Sequence, residues 1–141
     1  MKQINKELAQ QIVDYGKKMY RAGLVTGTGG NISLRVPGED AYLISPSGMP
    51  YEEITADDIV MMDMDGNQIG GKRRPSVEKN MHRNILKMRP EFNAVIHTHS
   101  TYASAYASLR KPLPVFLDIM IFAFGGPVKC AKYARIGSTE L

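Results

Sequence analysis

The chain has 141 residues, a formal net charge of +4 and 43% hydrophobic side chains, which suits one domain over residues 1–141 and excludes extended disorder. Its only cysteine, Cys130, cannot form an internal disulfide, and the charged N-terminal segment is no secretion signal, so a cytoplasmic protein is expected. No apolar stretch approaches the roughly 20 residues of a membrane span, and no basic stripe with interleaved aromatics is present, so we expect neither a membrane nor nucleic acid as a partner.

The first predicted element is an amphipathic helix over residues 4–22, which Gly23 can end. Apolar residues recur there at spacings of three and four, typical of one buried helix face. These positions are Ile4, Leu8, Ile12, Tyr15, Met19 and Ala22. After a glycine-rich turn, residues 31–36 and 41–45 are predicted strands, and the turn at Pro37-Gly38 joins them into a hairpin.

Two local signals follow in the middle of the chain. Thr55 and Asp58 have the spacing of a capping box, with Asp in place of Glu, which predicts a short turn of helix leading into residues 59–64. Asp65-Gly66 then predicts a tight turn.

The rest of the chain is predicted to alternate between helix and strand. Residues 77–88 carry a helical apolar stripe, with Glu78 in the first turn. Residues 94–99 are a predicted strand, and the small residues 101–109 a predicted helix. The apolar stretch 119–126 is interpreted as a buried strand. Helices and strands in mixed order predict an α/β fold, a single layered domain built on one sheet.

The strongest chemical signal is the segment VIHTHS, residues 95–100. Alternate residues of a strand point to the same side, so the imidazoles of His97 and His99 can reach one ion. Zinc sites commonly use such imidazole donors. The alternative is a pair of ordinary, partly buried histidines.

Three other side chains could take part in chemistry at a site. Glu78 could act as a third metal ligand or as a proton-transfer base, because a cation favours its charged form. The alternative is a solvated glutamate that the helix dipole stabilises. His82, one turn later on the same face, is expected to pack in the core rather than support the site. Cys130 is expected to be a buried, inert thiol.

Two loops have the composition of phosphate-binding loops. GTGGNIS, residues 27–33, and SPSG, residues 45–48, combine glycines, which let the backbone approach an anion, with Asn and Ser donors. The first loop is not a dinucleotide-binding fingerprint, because a helix precedes it and Ile32 stands where the third glycine belongs. Simple turns are the alternative for both loops.

Four motifs in order, GTGGNIS, LISPSGMPYEEI, the acidic residue of PSVEKNMH, and AVIHTHS, resemble the class II aldolase/adducin family over essentially the whole chain. The resemblance implies a central, mainly antiparallel sheet flanked by helices. It also implies a Zn²⁺ ion bound by His97 and His99, with Glu78 as general acid/base. The implied phosphate-binding residues are Gly30, Asn31, Ser47, Gly48 and Ser76.

The resemblance also implies a reaction. Family aldolases cleave a ketose 1-phosphate, such as L-fuculose 1-phosphate, to dihydroxyacetone phosphate and an aldehyde, usually as tetramers. Glu78 favours this cleavage, because the family's 4-epimerases carry aspartate there. The alternatives are a sugar-phosphate 4-epimerase or dehydratase on the same scaffold, or a catalytically impaired, non-enzymatic assembly module like the adducin branch.

The sequence departs from the family pattern at several points. Val77 stands where a second serine or a similar donor is usual. The 141 residues contain neither the Asn-His-Gly or His-His-Gly motif that supplies a third zinc histidine in relatives nor a clear equivalent, near Asp118, of the family's proton-donating tyrosine. We therefore expect Glu78, water or a neighbouring subunit to complete the tetrahedral coordination of zinc.

Overall fold

The computed structural model describes residues 1–138 and residue 140. The elements in order are α1 (Lys6–Arg21), β1 (Asn31–Arg35), β2 (Ala41–Ile44), a 3-10 turn (Ala56–Asp58), β3 (Val60–Asp63), β4 (Gln68–Gly70), α2 (Lys79–Met88), β5 (Ala94–His97), α3 (Thr101–Ser108) and α4 (Asp118–Phe124). The strands form one antiparallel sheet in the order β4-β3-β2-β1-β5. The predicted α/β fold with a mainly antiparallel sheet is confirmed, whereas the assignment of residues 1–141 to one domain stays a prediction.

Helix α1 forms where the apolar period predicted it. The Asn5 side chain caps its start by accepting hydrogen bonds from the backbone N–H groups of Glu7 (2.9 Å) and Leu8 (3.1 Å). Gly23, with φ 69°, follows its last turn and supplies the left-handed conformation that ends many helices.

The sheet is covered on both faces, because alternate residues of its central strand β2 point in opposite directions. Ala41 and Leu43 pack in the cluster that contains the apolar stripe of α1. Tyr42 and Ile44 pack in a second cluster, together with Leu86 of α2. The helices α1 and α2 therefore lie on opposite faces of one sheet.

The predicted hairpin of β1 and β2 is confirmed, with Ser33 opposite Ile44. The capping box is also formed, because the Asp58 carboxylate accepts from the backbone N–H (3.0 Å) and the hydroxyl (2.7 Å) of Thr55. It opens the 3-10 turn, after which the chain continues as β3, and the turn at Asp65-Gly66 leads from β3 into β4.

Two predicted boundaries differ from the structure. Strand β5 ends at His97, two residues early, because Asn31, its ladder partner, is the first residue of β1. Helix α2 begins at Lys79, two residues late, and Glu78 is its N-cap residue. The Ser76 hydroxyl accepts the Glu78 backbone N–H at 3.2 Å, a local bond that holds the preceding turn outside the helix.

The predicted buried strand over residues 119–126 is wrong. These residues lie mostly in the exposed helix α4, which Gly125 ends with φ 71°. A short, continuous apolar run has no period that separates helix from strand. Cys130 is likewise only partly buried, so the prediction of a buried thiol is wrong as well. No helix in the described part of the chain is long and apolar enough to cross a membrane.

Candidate functional site

The candidate site lies where β1 begins, β5 ends and α2 starts. Asn31 and His97 are paired across the two strands, which places both at the same edge of the sheet. Gly30 turns the chain into β1 with φ 72°, and a Cβ atom there would lie 2.7 Å from the His97 carbonyl oxygen. Only glycine allows this conformation and this close approach together.

The two candidate zinc ligands meet at this edge. The Nε2 atoms of His97 and His99 are 3.1 Å apart. Two zinc–nitrogen bonds of about 2.0–2.1 Å at a tetrahedral angle place their nitrogen atoms about 3.3 Å apart, so the pair fits one ion. His99 lies beyond the strand, where its backbone N–H donates to the Leu24 carbonyl (3.0 Å). The absence of a side chain at Gly29 leaves room for the His99 ring.

Glu78 extends from the N-terminus of α2 toward the same place. Its Oε2 atom is 3.5 Å from His97 Nε2, and only 11% of its side chain is exposed. In the described residues, no group of three or more His, Cys, Asp or Glu side chains is arranged to hold a metal ion. The two imidazoles therefore fit half of a tetrahedral site, and Glu78 lies beside them without completing a three-donor set.

Burial sets the charge state of the nearer imidazole. It lowers the pKa of His97 below the usual value for histidine, more than the carboxylate of Glu78 raises it, and the neighbouring His99 lowers it further. A lowered pKa favours the neutral imidazole, the form that binds metals.

Asn31 connects the phosphate-binding and catalytic candidates. Its side-chain nitrogen donates to Ser76 Oγ (2.9 Å) and to Glu78 Oε2 (2.7 Å). Its carbonyl oxygen contacts Nε2 of His82, whose Nδ1 lies 2.7 Å from the hydroxyl of Ser33. His82 is completely buried, as predicted, but it belongs to neither apolar cluster, and both of its ring nitrogens have polar partners, one of which is the site residue Asn31.

A cleft of about 210 Å³ opens at the site. Seven of the eight predicted site residues line it, namely Gly30, Asn31, Ser47, Gly48, Ser76, Glu78 and His99. Val77 and Ile136 add apolar surface to the lining. Larger hollows of about 340 and 510 Å³ lie along the N-terminal segment, and one of about 230 Å³ lies beside α3; none of them is lined by a predicted site residue.

The two predicted phosphate segments are tied to each other by backbone hydrogen bonds. The N–H of Ser47 donates to the Arg74 carbonyl (2.9 Å), and the N–H of Ser76 donates to the Ser45 carbonyl (3.2 Å). Gly48 follows with φ 70°, a conformation that favours glycine. SPSG and the Pro-Ser pair before Glu78 therefore form one wall of the cleft.

Sequence analysis assigned no function to Tyr51, and it included Thr28 and Ser33 only as members of the candidate loop GTGGNIS. Tyr51 donates its hydroxyl to the carbonyl oxygens of Gly29 (3.1 Å) and Gly30 (2.8 Å). Ser33 pairs with His82, and Thr28 lines the cleft. All three lie within the quoted motifs GTGGNIS and LISPSGMPYEEI, but only the fold brings their partners to them.

The sheet, the paired histidines and the cleft define an α/β protein with a candidate metal site beside a candidate phosphate site. Residues 10–141 match the family model described as the class II aldolase and adducin N-terminal domain. The chain therefore belongs to the class II aldolase and adducin family.

Three relatives illustrate the family. The chain is 44% identical over 132 residues to the 5-deoxy-D-ribulose 1-phosphate aldolase of Bacillus thuringiensis serovar kurstaki, over 94% of this chain and 62% of that protein. A solved structure of L-fuculose 1-phosphate aldolase matches with a TM-score of 0.91 and 40% identity, over 98% of this chain and 65% of that one. L-ribulose-5-phosphate 4-epimerase UlaF of Salmonella paratyphi B is 36% identical over 126 residues, which cover 89% of this chain and 55% of that protein. The chain thus spans less than two thirds of these relatives.

Proposed function

We propose that the protein is a zinc-dependent sugar-phosphate aldolase that cleaves a ketose 1-phosphate, such as L-fuculose 1-phosphate, to dihydroxyacetone phosphate and an aldehyde. One observation carries the proposal. The Glu78 carboxylate stands 3.5 Å from His97 Nε2 and lines the same cleft as the predicted phosphate-binding residues. The names of two relatives, both ketose 1-phosphate aldolases, support this reaction class.

Phosphate binding would depend on donors along the cleft. Ser76 Oγ already accepts N–H groups from Asn31 and from the Glu78 backbone. A hydroxyl has two acceptor lone pairs and one hydrogen, so the Ser76 hydrogen is left to donate into the cleft. The Ser47 side chain is exposed there, and the glycines at positions 30 and 48 let an anion approach the backbone.

Glu78 is the candidate general acid/base. In the cleavage direction it would accept the proton of a substrate hydroxyl while the carbon–carbon bond breaks, and return that proton to the new carbanion. The N–H···O bond from Asn31 holds Oε2 at one place, which keeps the carboxylate aligned with the reacting atoms. Val77, beside it, offers no hydroxyl to the phosphate.

His97 and His99 would hold the zinc ion, with water or a neighbouring subunit in the remaining positions and the Glu78 carboxylate beside them. Zinc bound there supplies a Lewis acid for the negative charge that develops on the substrate oxygens. The expected homotetramer and the cytoplasmic location remain predictions.

A second reaction on the same scaffold has support of its own, because one relative is named a 4-epimerase. An epimerase or dehydratase would use the same cleft and metal, but it would not release two fragments. A non-enzymatic assembly module is the remaining alternative, and it would leave every sugar phosphate unchanged. Product analysis therefore separates all three.

The first test measures zinc by elemental analysis in the purified wild type and in a His97→Ala/His99→Ala variant, alongside cleavage of L-fuculose 1-phosphate. We expect near-stoichiometric zinc in the wild type, its loss in the variant, and dihydroxyacetone phosphate as a product. Absence of zinc from the wild type after incubation with excess metal would overturn the proposal. A single isomerised product would favour the epimerase.

The second test separates the base from the metal. We expect Glu78→Gln to keep its zinc and lose activity by about 10²–10⁴-fold, the usual contribution of a general base. Glu53→Gln is the matched control, because Glu53 is exposed and lies outside the cleft. Full activity in Glu78→Gln would remove Glu78 from the mechanism.

A further inference from the structure

His82 is the buried titratable group that the proposed reaction does not use. It lies on α2 with none of its surface exposed, facing two residues of β1 that are two positions apart. Alternate strand residues share a face, so Asn31 and Ser33 both point at its ring. Each ring nitrogen contacts one of them.

The direction of each hydrogen bond in this chain follows from one fixed acceptor. The Asn31 amide nitrogen donates to Glu78 Oε2, because a carboxylate offers only acceptor oxygens. The reverse amide orientation would bring the Asn31 carbonyl oxygen within 2.7 Å of Glu78 Oε2, although both oxygens are acceptors. The Asn31 carbonyl oxygen therefore faces His82 Nε2, which must carry a hydrogen.

The other ring nitrogen completes the assignment. The ring is completely buried, and this burial, with a smaller contribution from the nearby His97, lowers the pKa of His82 to about 4, so the ring is neutral near pH 7. A neutral imidazole with hydrogen on Nε2 has an acceptor at Nδ1, and the Ser33 hydroxyl donates to it at 2.7 Å. Each of the four side chains then has one role, and the chain runs from Ser33 through His82 and Asn31 to Glu78.

We infer that His82 is a positioning residue, which donates from Nε2 to Asn31 and so fixes the amide that holds the Glu78 carboxylate in the cleft. The inference rests on the proposed function for its kinetic consequence, because Glu78 is the proposed base. Its structural content, the neutral Nε2–H tautomer and a fixed amide, is independent of any activity. His82 does not line the cleft and is not assigned a contact with substrate.

The structural test uses nuclear magnetic resonance on the full chain. Correlations between the ring protons and nitrogens of His82 should report a neutral ring with its hydrogen on Nε2 at pH 7. The side-chain amide hydrogens of Asn31 should exchange slowly with solvent. A ring hydrogen on Nδ1, or a charged ring, would overturn the inference even in a protein without activity.

Variants at position 82 separate the hydrogen bond from packing. His82→Phe keeps an aromatic ring but removes the donor, and should lower kcat about 10–100-fold, the range for a residue that supports a ligand or base. We expect KM to change much less than kcat. His82→Gln can donate from its own amide and should recover most of kcat and the slow exchange at Asn31. Equal losses in both variants would contradict the inference.

A double-mutant cycle decides whether His82 acts through Asn31. In an Asn31→Ala background, His82→Phe should lower kcat by less than about 3-fold, because the amide that it positions is gone. Multiplicative losses would show that His82 acts by another route and would overturn the inference. Leu86→Ala, a buried change one turn along α2, is the control for lost stability and should keep kcat.

The two failures are distinguishable. A wild type that splits no ketose 1-phosphate but shows the Nε2–H tautomer and protected Asn31 amide would overturn the proposed function and keep the positioning of Asn31. If the wild type cleaves a ketose 1-phosphate but His82 carries its hydrogen on Nδ1, the proposed function is kept and the positioning of Asn31 is overturned.

Discussion

The N-terminal region, residues 1–97, and the C-terminal region, residues 101–138, use apolar side chains in opposite ways. Every member of the two buried clusters lies between Ala9 and Leu86. Neither α3 nor α4 buries a residue, and Phe122 of α4 is 85% exposed. The proposed acid/base residue and its hydrogen-bonded partners all belong to the region that has the core.

This difference shows that an apolar sequence stabilises a fold only where a second surface covers it. Burial of an apolar side chain contributes roughly 25 cal/mol per Å² removed from water, and an exposed one contributes almost nothing. The N-terminal region should therefore dominate the free energy of unfolding of this chain, and should hold Glu78 and Asn31 in place without help from α4.

The largest effect is expected from a matched pair of isoleucine truncations. Ile44→Ala empties a fully buried position at the centre of the sheet and should lower the free energy of unfolding by about 2–5 kcal/mol. Ile119→Ala, at a side chain that is 65% exposed, should change it by less than about 0.5 kcal/mol.

Urea unfolding of both variants and the wild type measures this pair. The midpoint should fall for Ile44→Ala with an unchanged slope, the sign of a stability change alone. Similar midpoint losses in the two variants would break the comparison, because α4 would then contribute to the cooperative core.

A smaller effect tests how the core holds the site. Tyr51→Phe removes the donor to the carbonyl oxygens of Gly29 and Gly30 and should cost about 1–2 kcal/mol, since two part-buried acceptors lose their donor. Tyr102→Phe in α3 is the control, because that side chain is 83% exposed, and its stability should stay unchanged.

The same hydroxyl predicts a pH dependence. Burial, together with the smaller effect of the negative charge of Glu78, raises the pKa of Tyr51 from 10.0 to about 12. The folded state therefore keeps a proton that the unfolded state loses, so this contribution is complete below pH 10 and disappears as the pH rises from 10 to 12. Urea midpoints between pH 9 and pH 12 should fall less steeply in Tyr51→Phe. An identical slope would contradict the assignment.

The elements predicted correctly are those with a clear local signal. Helix α1 has the apolar period of a helix with one buried face, and the β1–β2 hairpin has turn residues between two short strands, so period and turn residues were sufficient. The α4 segment has apolar residues on all sides and no period to identify it. Its exposure was equally unpredictable, because burial depends on what packs against a helix.

The candidate site was predicted as a set of residues and not as an arrangement. The motif order indicated Glu78, His97 and His99, but strand pairing decides that β5 ends at His97. The bond from the Glu78 backbone N–H to Ser76 places Glu78 at the N-cap position of α2. The contacts of His82 join residues 49 and 51 positions apart in the chain. Local patterns carry no signal for such pairs, so its supporting role stayed an alternative to plain packing.

The smallest expected effect compares two helix caps. Asn5 accepts two backbone N–H groups at the start of α1, a helix packed on the core, so Asn5→Ala should cost about 1 kcal/mol. Ser100 accepts one N–H, from Ala103, at 3.5 Å, the limit of a useful bond. Because α3 buries no residue, Ser100→Ala should leave the global free energy of unfolding within about 0.5 kcal/mol of the wild type.

Hydrogen exchange makes these two cap variants informative although their effects on the free energy of unfolding are small. The amides of α3 should exchange faster in Ser100→Ala while those of α1 stay unchanged, since a helix outside the core opens locally without global unfolding. In Asn5→Ala, the slowest amides of the sheet should also exchange faster, because α1 shares their cooperative unit. If Ser100→Ala accelerated the sheet amides as well, α3 would belong to that unit, and the boundary between the two regions would lie beyond residue 108.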